Sequence, residues 1–253
     1  MKIDIMVKDR PKLSNPVVVC GLPGSALVGK VAVDHLVATL SSKILAEIYC
    51  GLAPQVYVEE SGTVSMLKNE IYSWKGAGDT GRDLILYTAD AQPSTPETEY
   101  ALSEAVIDFL QKEYRSRELI TLGAYVTGNF SKSPQVYATA TDESLLGKIR
   151  EAGCNIMMEG VITGMNGLLL GLAKFKGMAG YSLLGETSGY AIDPKASEAL
   201  LVVLSKLIGV SVDMKELEQR AKEAQSIMDS VAMRVQREAE GRQSDDRKPG
   251  YIT

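Results

Sequence analysis

Short continuous apolar runs alternate along the chain with segments whose apolar residues recur every three or four positions. Pro16-Val17-Val18-Val19-Cys20 is a nearly unbroken β-branched run, the pattern of a strand covered on both faces. Beyond the glycines at 21 and 24, Val28, Val31, Ala32, His35, Leu36 and Leu40 recur at helical spacing. Residues 43–50, 55–60 and 64–74 predict strands, with Ser61-Gly62 as the turn between the last two. The Gly-rich stretch 75–82 predicts an exposed loop, and 83–87 another buried strand. Pro96-Glu97 with Glu99 opens a helix to about Arg115, its acids well placed for the N-terminal dipole. Further on, 119–126 and 135–141 predict strands, and Asp142 caps a helix ending at Gly153. Residues 155–158 are short and apolar, and 164–176 form a helix that is apolar almost all round and therefore buried. A strand at about 178–184 and a helix over 194–207 follow. Strands alternating with helices of this length predict an α/β fold, a mostly parallel sheet covered on both faces. With no linker before residue 241, a single domain is expected over residues 1–240.

The last periodic segment has a different character. Asp213 with Glu216 three residues on forms a loose capping box. Met214, Leu217, Ala221, Ala224, Met228, Val231 and Val235 then step by three and four, predicting a long C-terminal helix with a weak heptad-like stripe. Such a stripe packs either on its own domain or against another subunit. Residues 242–250 contain no large apolar side chain, so 241–253 is expected to be a disordered tail ending Tyr251-Ile252-Thr253.

Composition narrows the chemistry. The 253 residues carry 27 Lys+Arg against 32 Asp+Glu, a net charge of −5, which argues against non-specific nucleic-acid binding. Only one histidine, His35, is present, so a two-His zinc site cannot be assembled from one chain. Cys20, Cys50 and Cys154 lie far apart with no C-x-x-C pair, which fits reduced thiols in a cytoplasmic protein. The start lacks the apolar core of a signal peptide, and no apolar run approaches the roughly 20 residues of a membrane span.

The candidate chemistry gathers at glycine-rich strand-to-helix turns. Gly24 to Lys30 fits the phosphate-cradling pattern G-x-x-x-x-G-K between a strand and a helix, but Val31 stands where that loop needs a metal-binding hydroxyl. Gly123 and the block from Gly160 to Leu170 repeat the strand–glycine–helix arrangement. Glycines at one edge of a parallel sheet frame a crevice, although close backbone packing demands them equally well. Gly21, Gly24, Gly29, Lys30, Glu186 and Thr187 are the candidate crevice residues, with Glu186 and Thr187 as its polar wall. His35 lies about 15 Å along the chain from Ser25 if helical, so the two cannot act as base and nucleophile. No catalytic constellation, metal site or cofactor is expected.

Three blocks in order, Gly21-Leu22-Pro23-Gly24 with Val28-Gly29-Lys30, then Gly160 to Leu170, then Leu184 to Tyr190 with Asp193-Pro194, resemble the signature blocks of the PAC2 family. These are relatives of the proteasome assembly chaperones. The resemblance, over about residues 1–235, implies a three-layer α/β/α sandwich similar to the nucleoside phosphorylase/hydrolase type. It implies self-association into a homo-oligomer, and chaperoning by binding proteasome α-subunits rather than catalysis. Proteasome-binding proteins often end in a hydrophobic–Tyr–any tripeptide; here Tyr251 stands third from last. Tyr251, Ile252 and Thr253 are therefore the expected partner-binding residues. The rival expectation is a nucleotide- or nucleoside-binding enzyme of phosphorylase-like fold that uses the glycine-rich crevice.

Overall fold

A computed structural model describes residues 2–76, 81–224 and 226. Its centre is a nine-stranded sheet of order β1-β3-β6-β7-β2-β8-β11-β9-β10. The strands are β1 (Asp4–Val7), β2 (Val17–Gly21), β3 (Lys43–Tyr49), β6 (Asn69–Trp74), β7 (Leu84–Ala89), β8 (Glu118–Val126), β9 (Val136–Ala140), β10 (Asn155–Ile156) and β11 (Ala179–Thr187). β7, β2, β8 and β11 run parallel through the middle. β6, β3 and β1 extend one side antiparallel, and β9 joins β11 antiparallel on the other with β10 parallel to it. Every residue of β2 and β7 is buried, as the unbroken apolar runs require of strands covered on both faces.

Five helices cover the sheet: α1 (Val28–Thr39), α2 (Pro96–Tyr114), α3 (Leu146–Ala152), α4 (Gly164–Phe175) and α5 (Pro194–Ile208). Residues of α1, α3 and α5 share one apolar core, and those of α2 and α4 build the other. This is the three-layer α/β/α arrangement. The helix boundaries follow their caps. Thr95 accepts from the Thr98 amide ahead of Pro96 at the start of α2, and Asp193 accepts from the Ala196 amide, 3.0 Å away, ahead of Pro194 at the start of α5. Gly153 and Gly209, both at positive φ, close α3 and α5.

One strand is added and two expectations change. Residues 4–7 are a strand, although Asp4-Ile5-Met6-Val7 shows only weak alternation; it pairs with β3 at the sheet edge. The single strand expected over 64–74 divides at Leu67-Lys68 into β5 (Val64–Met66) and β6. β5 pairs with β4 (Val56–Val58) in a separate hairpin turned at Gly62, whose φ is +80°. At the break, the Lys68 amide donates to Asp90 Oδ2 at 2.9 Å, and its ammonium bridges Glu47 and Glu70. Finally, β11 continues to Thr187, so Glu186 and Thr187 belong to the strand.

Residues 215–224 are helical, with Leu217 and Ala221 buried. His35, itself buried, places Nε2 2.7 Å from the Asp213 carbonyl, tying this segment to α1. The stripe beyond Ala224 and the tail 241–253 lie outside the described residues.

Candidate functional site

The glycine-rich turns converge. A cavity of about 460 Å³ opens at the C-terminal edge of β2, β8 and β11, between the starts of α1 and α4. Ligand sites of α/β sheets lie at this edge. Leu22, Leu184 and Asn166 are buried in its wall, and Glu159 and Val161 are exposed at its mouth. Tyr125, stacked on Tyr137 with ring centroids 4.0 Å apart, forms one side.

Two glycines in this region exist for packing. A Cβ at Gly21 would stand 2.1 Å from the Gly29 carbonyl oxygen, and one at Gly29 would stand 2.0 Å from that of Leu122. Only glycine lets α1 cross the end of β2 and touch the backbone of β8. The turn between them is unusual. Ala26 and Leu27 both adopt left-handed backbone, φ +53° and +52°, immediately before α1. Each costs of order 1–2 kcal/mol relative to ordinary geometry. The Asp193 amide donating to the Ala26 carbonyl at 3.0 Å, and Ser197 Oγ donating to that of Val28 at 2.9 Å, hold the turn against α5.

The expected crevice residues divide. Gly24 and Gly29 line the cavity; Gly21, Lys30, Glu186 and Thr187 do not. Gly21 is sealed beneath Gly29. Lys30 turns away, its ammonium 2.9 Å from Asp34 Oδ2 and 3.3 Å from Thr88 Oγ1. The cation that a phosphate loop would present to its ligand is thus engaged elsewhere. Glu186 Oε2 accepts from the Gln135 amide at 3.0 Å, closing the outer side of β11. Thr187 Oγ1 donates to Asp193 Oδ2 at 2.7 Å and so braces the cap of α5. These two polar residues looked like a crevice wall because a strand end and a helix cap share one short segment. The expected partner-binding residues Tyr251, Ile252 and Thr253 lie outside the described residues.

Two cavity residues escaped the sequence analysis. Gln92 accepts from the Met165 amide at 2.8 Å through Oε1 and donates through Nε2 to the Pro23 carbonyl, so it clips the turn after β2 to the start of α4. Its signal was positional: it follows β7 at the same edge. Asn166, inside the Gly160–Leu170 block, donates from Nδ2 to the Leu122 carbonyl at 3.0 Å, while its Oδ1 has no protein partner. Among the described residues no three His, Cys, Asp or Glu side chains could hold a metal ion. No described helix is long and apolar enough to cross a membrane. The three cysteines are unpaired, and burial pushes the Cys154 thiol up to about 11 and Cys20 higher still, so neither is a ready nucleophile at neutral pH.

The described surface is also notable for exposed apolar groups. Val56, Val58, Val64 and Met66 share one face of the β4–β5 hairpin, since Val56 pairs with Met66 and Val58 with Val64. Val126 and Val161 in the cavity lining are exposed, as are Phe130 and Tyr190, whose ring centroids lie 6.5 Å apart.

Comparison with known proteins places this architecture. The profile of the PAC2 family matches residues 18–232. An uncharacterized protein of Methanocaldococcus jannaschii is 32% identical over 227 residues, covering 89% of this chain and 86% of the relative. The crystal structure of Pyrococcus furiosus PbaB, described as an archaeal proteasome activator, superposes with a TM-score of 0.86 at 37% identity, covering 91% of this chain and 98% of that one. P. furiosus PbaA, described as an archaeal homolog of proteasome-assembly chaperone, superposes with a TM-score of 0.74 at 26% identity, covering 97% and 96%.

Proposed function

The chain belongs to the PAC2 family, and from that membership we propose that it is a proteasome-binding protein: a homo-oligomer that engages α-subunits or the α-ring. The observation that carries this reading is the likeness, at 37% identity and over nearly the whole of both chains, to a protein described as a proteasome activator. The described residues suit work by surfaces. Exposed apolar side chains on the hairpin face and the cavity rim offer contact area, and proton-transfer groups do not converge in the cavity.

In this proposal the folded body sets the oligomer and Tyr251, Ile252 and Thr253 provide the docking element. A tether of about ten polar residues orders little on binding, and several tethers on one oligomer raise the local concentration at a ring with several pockets. Assembly chaperoning and activation are two outcomes of such binding, and the likeness to PbaB favours examining the second as well. An assembly chaperone acts on free α-subunits and speeds ring formation. An activator raises peptide hydrolysis by a core particle that is already complete.

A pull-down on immobilised α-rings, comparing the full chain with one ending at Gly241, tests the proposal. Retention of the full chain alone supports binding through the tail. Equal retention of both removes the tail from the account, and retention of neither overturns the proposal. Peptide hydrolysis by preassembled core particle then separates activation from assembly.

A further inference from the structure

The cavity at the sheet edge is open to solvent, and its mouth carries one charge. Glu159, exposed there, is the only charged residue among those that line the space. The wall combines the apolar side chains of Leu22, Val126, Ile162 and Leu184 with the exposed hydroxyl-bearing residues Ser25 and Thr163. Val161 at the mouth is 84% exposed. Apolar surface continues outward from Val126. A Cβ at Gly189 would stand 2.8 Å from Val126 Cγ1, and the next residue, Tyr190, neighbours Phe130. A volume of about 460 Å³ walled in this way suits one aromatic ring with a polar tip, with an aliphatic side chain beside it. A cation just ahead of that ring would meet Glu159.

The chain itself carries a segment of that chemistry. Residues 242–250 hold no large apolar side chain, and Tyr251-Ile252 then follow. Arg247 and Lys248 precede the tyrosine by four and three residues, about 10–13 Å of extended chain. With the ring inside the cavity they fall at its mouth, where Glu159 stands. The connection is long enough. Asp213 is fastened to His35, six residues and about 9 Å along α1 from Gly29 in the cavity wall. The helical residues 215–224 add at most about 15 Å to that separation. Twenty-six residues lie between Ala224 and Tyr251. Extended, they would reach up to about 90 Å, and residues 241–251 alone about 35 Å.

We propose that segment 247–252 docks in the cavity of its own chain, with the Tyr251 ring inside, Ile252 on the apolar mouth and Arg247 or Lys248 against Glu159. Tethering holds the segment at an effective concentration on the order of millimolar, so weak docking is enough to fill the site. The docking stands without proteasome binding. Where the proposed contact with α-subunits also holds, cavity and ring compete for the same Tyr251-Ile252, and the folded body regulates its own docking element.

The test is photo-crosslinking of the full chain alone, so its failure is distinct from a failure to bind α-rings. Tyr251→p-benzoyl-phenylalanine keeps an aromatic ring at the position and, on irradiation, bonds to nearby C–H groups, those of methionine most readily. Peptide mapping should find a bond within one chain to Met157 or Val161, both in the cavity lining. Gly24→Leu, at extended backbone where a Cβ meets nothing closer than 3.9 Å, fills the space and should abolish that bond. Glu159→Lys, on an exposed side chain, should lower its yield by about threefold or more, and adding Arg247→Glu with Lys248→Glu should restore it. A mixture of isotope-labelled and unlabelled chains tells a bond within one chain from a bond between two. The exposed position of Glu159 keeps the test sound if Gly24→Leu does not fold. The proposal is overturned if no bond forms within the chain, or if it falls on the hairpin at Met66 or on β1 at Met6. It is equally overturned if labelled and unlabelled chains join, or if Gly24→Leu or Glu159→Lys leaves the yield unchanged.

Discussion

The crossing of α1 over the sheet and the β4–β5 hairpin treat apolar surface in opposite ways. At the crossing, glycines remove side chains so that backbones touch, and Val28, Ala32, Val33 and Leu36 are all but inaccessible. On the hairpin, Val58 and Val64 face each other across the strands and remain 73% and 67% exposed. A two-stranded hairpin gains little stability alone. The comparison teaches that apolar residues in the first region hold the fold together, while those in the second are available for contact. Stability measurements should follow that division.

The largest effect is expected inside. Gly29→Ala drives a methyl group into the Leu122 carbonyl, with a Cβ–O separation of 2.0 Å before relaxation, so α1 must lift off the sheet. A loss of about 3 kcal/mol or more should appear in urea unfolding, or roughly 6–12 °C in a melt. Leu217→Ala comes next. Leu217 is fully buried in the core shared with α1 and α5, so its truncation should cost about 2–4 kcal/mol. A cost below about 1 kcal/mol would mean that the final helix is not part of the domain.

Smaller effects belong to the outside. Lys68 and Lys8 hold the Glu47 carboxyl at about 2, below its ordinary value near 4.5. Its contribution is present at neutral pH and lost as pH falls from about 4.5 through 2, because the native state resists a proton the unfolded chain accepts. Glu47→Gln should therefore flatten this part of the acid limb in urea melts at successive pH values, by about 1 kcal/mol, since its partner Lys8 is 44% exposed and that side of the cluster is screened by solvent. The double change Val58→Ser with Val64→Ser should be smallest, within about 0.5 kcal/mol. A large loss there would show that the hairpin face is buried in the native assembly, and would break the comparison.

The central strands and most helices were legible because their signals are local and strong. Val17 to Cys20 is apolar without interruption, and Thr95-Pro96, Asp193-Pro194 and Gly153 mark ends by fixed chemistry. β1 was not legible, since its four residues gain their conformation from pairing with β3. The division at Leu67-Lys68 was hidden because no glycine or proline marks it, and only the partners of Lys68 in β3 and beyond β7 reveal the break. Of the site, the glycine turns announced the cavity, but a pattern in one dimension could not say which glycines line it and which merely pack. Lys30 shows the same limit: its spacing suited a phosphate loop, and Asp34, one helical turn on, took its ammonium instead. Gln92 and Asn166 are common polar residues whose roles come from where β7 and α4 end up.

The most direct test of the account is native mass spectrometry of the full chain, alone and mixed with proteasome α-subunits. The account predicts a discrete homo-oligomer alone and a new complex containing both proteins in the mixture. A monomer that leaves the α-subunit spectrum unchanged would contradict it.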